Sequence, residues 1–345
     1  MSSTNKNLES KEKILPIGGQ AVIEGVMMRS LDRIATAVRR QDGTVEIKTE
    51  TFQSLVQRKK QLNIPIIRGA ITLIEVMMLG MRHLNFSANI AVQDIQVQEN
   101  EERRKKGKKE KKYKEKGMSK LSTFLTVSFA LILGLALFFA FPLYVTTEIF
   151  NVEKNALTFN LIAGIIRIIL FLGYIYLISL LKDVKRLFQY HGAEHKTIFT
   201  FEKKLPLTVE NVRKEPRLHP RCGTSFLVMV LLISLLFFAF LDAFVIYLHG
   251  SINLFIRLAT HLPLVPLVGG LGYEAIKASA KKPHHPLVRL SIWPGLALQR
   301  ITTQEPDDSM IETAIIALLA ALDKPYDYLL PEPRKQPADV LQTFL

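Results

Sequence analysis

His191, Glu194 and His195 fall within the five-residue stretch HGAEH at 191–195. On a helix, residues i and i+4 lie one turn apart on one face, so the two imidazoles are neighbours and Glu194 shares their side. Two imidazole nitrogens so placed can grip one divalent metal, and a carboxylate beside them can take a proton from an attacking water. The order His-x-x-Glu-His is that of an inverted zincin motif. A zinc site needs at least one further ligand, commonly from elsewhere in the chain. His219 and Cys222 in HPRCGTS, Glu274 in GYEAIK, and His284 and His285 in PHHP are the candidates. A hydrolytic site would use His191, His195 and His219 or Glu274 as ligands, with Glu194 as general base. A closed structural site would use His191, His195, His219 and Cys222, leaving no open position. Each residue also has a plainer use: a histidine can hydrogen-bond a carbonyl, a lone buried cysteine packs as a small hydrophobe, and histidines between prolines make a rigid turn.

Four apolar runs must position these groups. They cover about 121–145, 157–181, 224–248 and 252–273, and the last is interrupted by Pro263 and Pro266. About 20 apolar residues cross the hydrocarbon of a bilayer. Prolines in such a run kink it and are tolerated where neighbouring helices cover the freed carbonyls. The segment before the first run, 99–120, carries eleven basic and five acidic residues. Lys182, Lys185 and Arg186 follow the second run, and Lys277, Lys281, Lys282 and Arg289 follow the fourth. By the positive-inside rule these three stretches are cytoplasmic, which predicts both termini in the cytoplasm. HGAEH, HPRCGTS, Glu274 and PHHP are then expected at the same membrane face. Charges inside spans usually pair or serve function; Arg167 and Asp242 are expected to pair with each other.

The predicted fold is mainly α: a polytopic membrane bundle of about four spans with a small N-terminal α+β cytoplasmic part. Residues 1–13 are expected to be disordered. Residues 14–98 form the α+β part, in which RIATAVRRQDGTVEIKTETF alternates on both sides of Asp42-Gly43, a hairpin signal. A helix follows Pro65, lying on the membrane surface or against the bundle, with a fifth span as the alternative. Residues 99–120 are a basic linker, 121–274 the bundle with a cytoplasmic loop at 182–223, and 275–345 a C-terminal cytoplasmic part. There, Asp307 and Asp308 offer caps for the helix MIETAIIALLAAL, and Trp293 suits the membrane interface.

The 345 residues carry a net charge of +14 and are 48% apolar, which fits a membrane protein with sizeable aqueous parts. A single cysteine excludes an intrachain disulfide. The polar N-terminus lacks the apolar core of a cleavable signal peptide. The basic run suits anionic lipid headgroups. Apart from Tyr113 it lacks interleaved aromatics, so no nucleic-acid partner is expected. Gly18, Gly19 and Gln20 could turn backbone donors toward a substrate and Arg29 could meet an anionic group, although the glycines equally make a turn.

The segments GGQAVIEGVMMRS, HGAEHKTIFTFE, HPRCGTSF and WPGLALQRITTQEPDDSMIETAI together resemble the YqhQ-type family of bacterial membrane proteins. The resemblance runs from about residue 14 to 325 and keeps His191, Glu194, His195, His219 and Cys222. It implies a multi-pass protein and candidate metal-dependent chemistry at those histidines. Two functions follow. One is a zinc-dependent hydrolase acting at the cytoplasmic membrane face on a membrane peptide or lipid-linked molecule. The other is a non-enzymatic regulator or assembly factor with a structural histidine/cysteine site. The spans lack the paired broken helices and rows of charge that mark carriers and channels.

Overall fold

A computed structural model describes residues 17–109, 111, 120–150, 155–279 and 285–330. The expectations for residues 1–13, for residues 110 and 112–119 of the basic linker and for His284 fall outside these residues. In chain order the strands are β1 (Gly18–Val22), β2 (Gly25–Arg29), β3 (Arg33–Arg39) and β4 (Val45–Thr51). The helices are α1 (Leu55–Arg58), α2 (Ile67–Lys105), α3 (Lys120–Leu135), α4 (Phe141–Glu148), α5 (Ala156–Ser179), α6 (Lys182–Glu202), α7 (Val209–Lys214), α8 (Gly223–His249), α9 (Leu254–His261), α10 (Val265–Ser279), α11 (Pro286–Thr302) and α12 (Asp308–Ala321). They divide into two compact units.

The first unit comprises Met1–Gln53, Gln189–Arg217 and Glu305–Leu345. Its sheet is an antiparallel meander in the order β1-β2-β3-β4. The predicted hairpin joins β3 to β4: Asp42 Oδ1 accepts from the Thr44 N–H at 2.8 Å, and Gly43 takes a φ of 91° that a β-carbon would disfavour. Val26 and Met28 pair with Ala37 and Ala35, and period-two alternation puts all four on one face of the sheet. α12 starts where the Asp307 side chain accepts from the Met310 N–H at 3.0 Å. Its sequence is apolar around nearly the whole circumference, as a helix buried on all sides must be. Met310, Ala314, Ala317 and Leu318 join the sheet core, while Ile311, Ile315 and Leu319 meet Val212 of α7.

The second unit comprises Ser54–Phe188 and Leu218–Gln304. Among the described residues, four helical stretches are long and apolar enough to cross a membrane: Phe124–Glu148, Ala156–Ser179, Gly223–His249 and Leu254–Ser279. Phe129, Ile132, Ile169, Phe240 and Phe244 lie exposed along them, as lipid-facing side chains would. The fourth stretch breaks where its prolines predict, α9 giving way to a 3₁₀ turn at Leu262–Leu264 before α10. α2 is not among the four, and it packs against α10, where the Gly69 and Gly270 backbones approach so closely that a β-carbon on Gly69 would stand 2.9 Å from the Gly270 oxygen. The Glu274 carboxylate there accepts from Arg68 Nε at 2.6 Å and Nη2 at 2.5 Å.

The expected Arg167–Asp242 pair does not form. Asp242 Oδ2 instead accepts from Arg257 Nε at 3.0 Å and from Asn160 Nδ2 at 2.7 Å, and Asp242 Oδ1 lies 2.8 Å from His261 Nε2. The reason is depth. Asp242 lies seven residues before His249 at the end of α8, and His261 seven residues after Leu254 at the start of α9. At 1.5 Å per residue both sit about 10 Å from the shared turn, so the next helix delivers the partners.

Candidate metal centre

α6 carries HGAEH on its second half, and the helical spacing does what it predicts. The His191 and His195 ring centroids are 4.4 Å apart. Glu194 Oε2 lies 3.5 Å from His195 Nε2 and 3.9 Å from His191 Nε2. His195 and Glu194 are almost wholly buried, and His191 is partly exposed.

A carbonyl fixes the tautomer of His195. Its Nδ1 stands 2.5 Å from the Arg217 carbonyl oxygen, which can only accept, so Nδ1 carries the proton. In the neutral ring Nε2 then presents a lone pair toward the Glu194 carboxylate. A proton on Nε2, or a cation shared with the carboxylate, would each suit this 3.5 Å contact. Metal-ligating histidines usually donate their other ring N–H to a carbonyl or carboxylate, which fixes the ring's orientation.

The strap from Lys203 to Arg217 brings that carbonyl in, and salt links hold the strap. Lys196 Nζ donates to the Arg213 carbonyl at 3.2 Å and pairs with Glu305 at 2.9 Å, and Arg217 Nε reaches Glu305 at 3.4 Å. Lys203 pairs with Glu215 at 2.7 Å. None of these groups announces itself in sequence, because each acts through the backbone of a distant segment.

β1 passes over the carboxylate. A β-carbon on Gly19 would stand 2.6 Å from Glu194 Cγ and 2.9 Å from the Met27 oxygen, whereas one on Gly18 would meet nothing within 4 Å. Gly19 therefore permits close approach to the candidate base, while Gly18 does not constrain it. Gly19→Ala is expected to cost about 1–3 kcal/mol by overpacking, with Gly18→Ala near neutral; denaturant unfolding of both variants in detergent checks this contrast. Gln20 lies beside Gly19 on β1, and the Arg29 guanidinium stacks 4.4 Å above the Phe52 ring.

In the second unit Cys222 caps α8, its buried Sγ accepting from the Thr224 N–H at 3.4 Å. His219 Nδ1 accepts from the Arg221 N–H at 3.3 Å. Gln299, buried in α11, clamps this turn: its Oε1 accepts from the His219 N–H at 2.7 Å, and its Nε2 donates to the His219 oxygen at 2.8 Å and to Ser225 Oγ at 2.9 Å. Sequence reasoning passed over Gln299, whose only signal is a lone amide in the apolar run GLALQ. The Glu274 carboxylate is taken by Arg68. His285 stands at the N-cap of α11.

Comparison with known proteins follows the same lines. A family model described as protein of unknown function (DUF1385) matches residues 64–324. The chain is 36% identical over 317 residues to the uncharacterized protein YqhQ of Bacillus subtilis (strain 168), covering 89% of this chain and 92% of that one. No solved structure matches it.

Proposed function

The chain belongs to the DUF1385 family, and from its site we propose that it is a multi-pass membrane hydrolase dependent on zinc or a similar divalent metal. His191 Nε2 and His195 Nε2 are proposed ligands and Glu194 the general base. The observation that carries this reading is the His195 tautomer. With Nδ1–H given to the Arg217 carbonyl, Nε2 directs its lone pair at a site already faced by Glu194 Oε2, 3.5 Å away. A catalytic zinc usually takes three protein ligands and keeps a position for water or substrate, so a third donor completes the set. The metal, when bound, supplies Lewis acidity to the scissile group. Glu194 receives the proton of the attacking water, and Gly19 gives its carboxylate room to lie beside the histidines.

The proposed orientation puts both termini and the site in the cytoplasm, on the basis of the lysines and arginines flanking the spans. The substrate is then a peptide or lipid-linked molecule reached at headgroup level. The basic linker is proposed to lie against anionic headgroups.

A second reading is supported by the same contact. A proton on His195 Nε2 would make an imidazolium–carboxylate pair, and the cluster would be structural, in a regulator or assembly factor. Metal content separates the two. Untagged protein purified without chelator is expected to carry about one zinc, or a similar metal, per chain by elemental mass spectrometry, and His195→Ala to carry none while remaining folded. Wild-type protein without metal above background would remove the hydrolase reading and leave the structural one.

A further inference from the structure

Arg167 has no counterpart in the chemistry described so far. It sits in the middle of α5 and is 6% exposed. Its guanidinium carbon lies 5.0 Å from the centroid of Phe139, whose ring lies edge-on to His261 at 6.2 Å. Two of its nitrogens, Nε and Nη2, are buried with no hydrogen-bond partner among the described residues.

The neighbouring charges do not satisfy it. Asp242 spends Oδ2 on Arg257 Nε and Asn160 Nδ2, and Oδ1 on His261 Nε2. Arg167, Arg257 and Asp242 together bring two positive charges and one negative into the buried cluster. A charge inside a bundle is costly unless compensated, and such residues usually mark a ligand or a pathway.

The identity of the two open donors points to the ligand. Nε and Nη2 form one edge of the guanidinium, the fork that takes two oxygens of a single oxyanion side by side. We propose that Arg167 anchors an oxyanion site within the helix bundle, binding a carboxylate or phosphate group through Nε and Nη2. Bound there, the oxyanion offsets the excess positive charge and satisfies both donors. The shared chemistry fits a small soluble anion or the head of an anionic lipid.

The test uses the full chain in nanodiscs and reads its apparent Tm. In discs of neutral phosphatidylcholine, acetate and inorganic phosphate are titrated against chloride at constant ionic strength. A third arm replaces part of the lipid with phosphatidylglycerol and adds no oxyanion. A saturable rise in Tm is expected in at least one arm. A response to acetate or phosphate identifies a soluble ligand, and a response to phosphatidylglycerol alone identifies the headgroup. Arg167→Met is expected to abolish the response, and Arg167→Lys, which keeps the charge but not the fork, to raise the half-saturating concentration at least about 10-fold. No rise in any arm with wild-type protein overturns the proposal. So does an undiminished response in Arg167→Met or, should that variant not fold, in Arg167→Lys.

Discussion

Glu194→Gln is expected to retain wild-type metal content and stability while losing roughly 10²–10⁴-fold in turnover, the range for removing a positioned acid–base group. The amide nearly matches the carboxylate in shape, so packing under Gly19 is preserved. His191 and His195 keep their 4.4 Å spacing, and His195 keeps the Arg217 carbonyl. What the amide lacks is a basic lone pair able to accept a proton. The measurement is complementation of a strain lacking the gene, paired with elemental analysis of the purified variant. Full complementation by Glu194→Gln would sink the assignment of Glu194 as base. A structural site makes the opposite pattern: His195→Ala disturbs the fold and Glu194→Gln passes unnoticed.

The largest stability effect is expected at Asp242. Its carboxylate is fully buried and joins Asn160, Arg257 and His261. Arg257 is equally buried, its guanidinium 3.2 Å from the centroid of Phe159. Asp242→Ala would remove the carboxylate that this cation pairs with, and breaking a buried pair by removing one partner costs about 3–5 kcal/mol. Replacing the pair together, as in Asp242→Leu with Arg257→Met, is expected to fall within about 1 kcal/mol of wild type, because apolar substitution of a whole buried pair is often neutral. Unfolding in mixed micelles, compared at equal slope, reads both numbers. A wild-type midpoint for Asp242→Ala would show that the carboxylate does not hold the bundle.

The spans were readable because membrane crossing is a property of local composition. A run of about 20 apolar residues has few other stable uses, and all four runs appear as helices of that kind. The hairpin at Asp42-Gly43 and the cap at Asp307 were equally local. HGAEH was readable because helical periodicity alone puts the three side chains together. The partners were not. His195 depends on a backbone carbonyl, which has no sequence signature, and Glu274 meets Arg68 from 206 positions away. Asp242 could have been assigned correctly by counting helical rise from the α8–α9 turn, but the position of both residues toward the outer part of their spans favoured Arg167. The clamp at Gln299 is a tertiary contact with the His219 backbone, and composition cannot report it.

The first unit draws its core from strands ending at Thr51 and a helix ending at Ala321. During synthesis, 270 residues (321 − 51) separate the last strand from the end of that helix. At about 5–20 residues per second, the sheet waits roughly 15–50 s for the side chains of α12 that complete its core. All four candidate spans are made in that interval. A ribosome that stalls in any of them leaves Val26, Met28, Ala35 and Ala37 without their helix, and the nascent chain displays an apolar sheet. Completion of this small core is thus a late event that reports on the whole chain, and truncated products are expected to be prime substrates for membrane proteases.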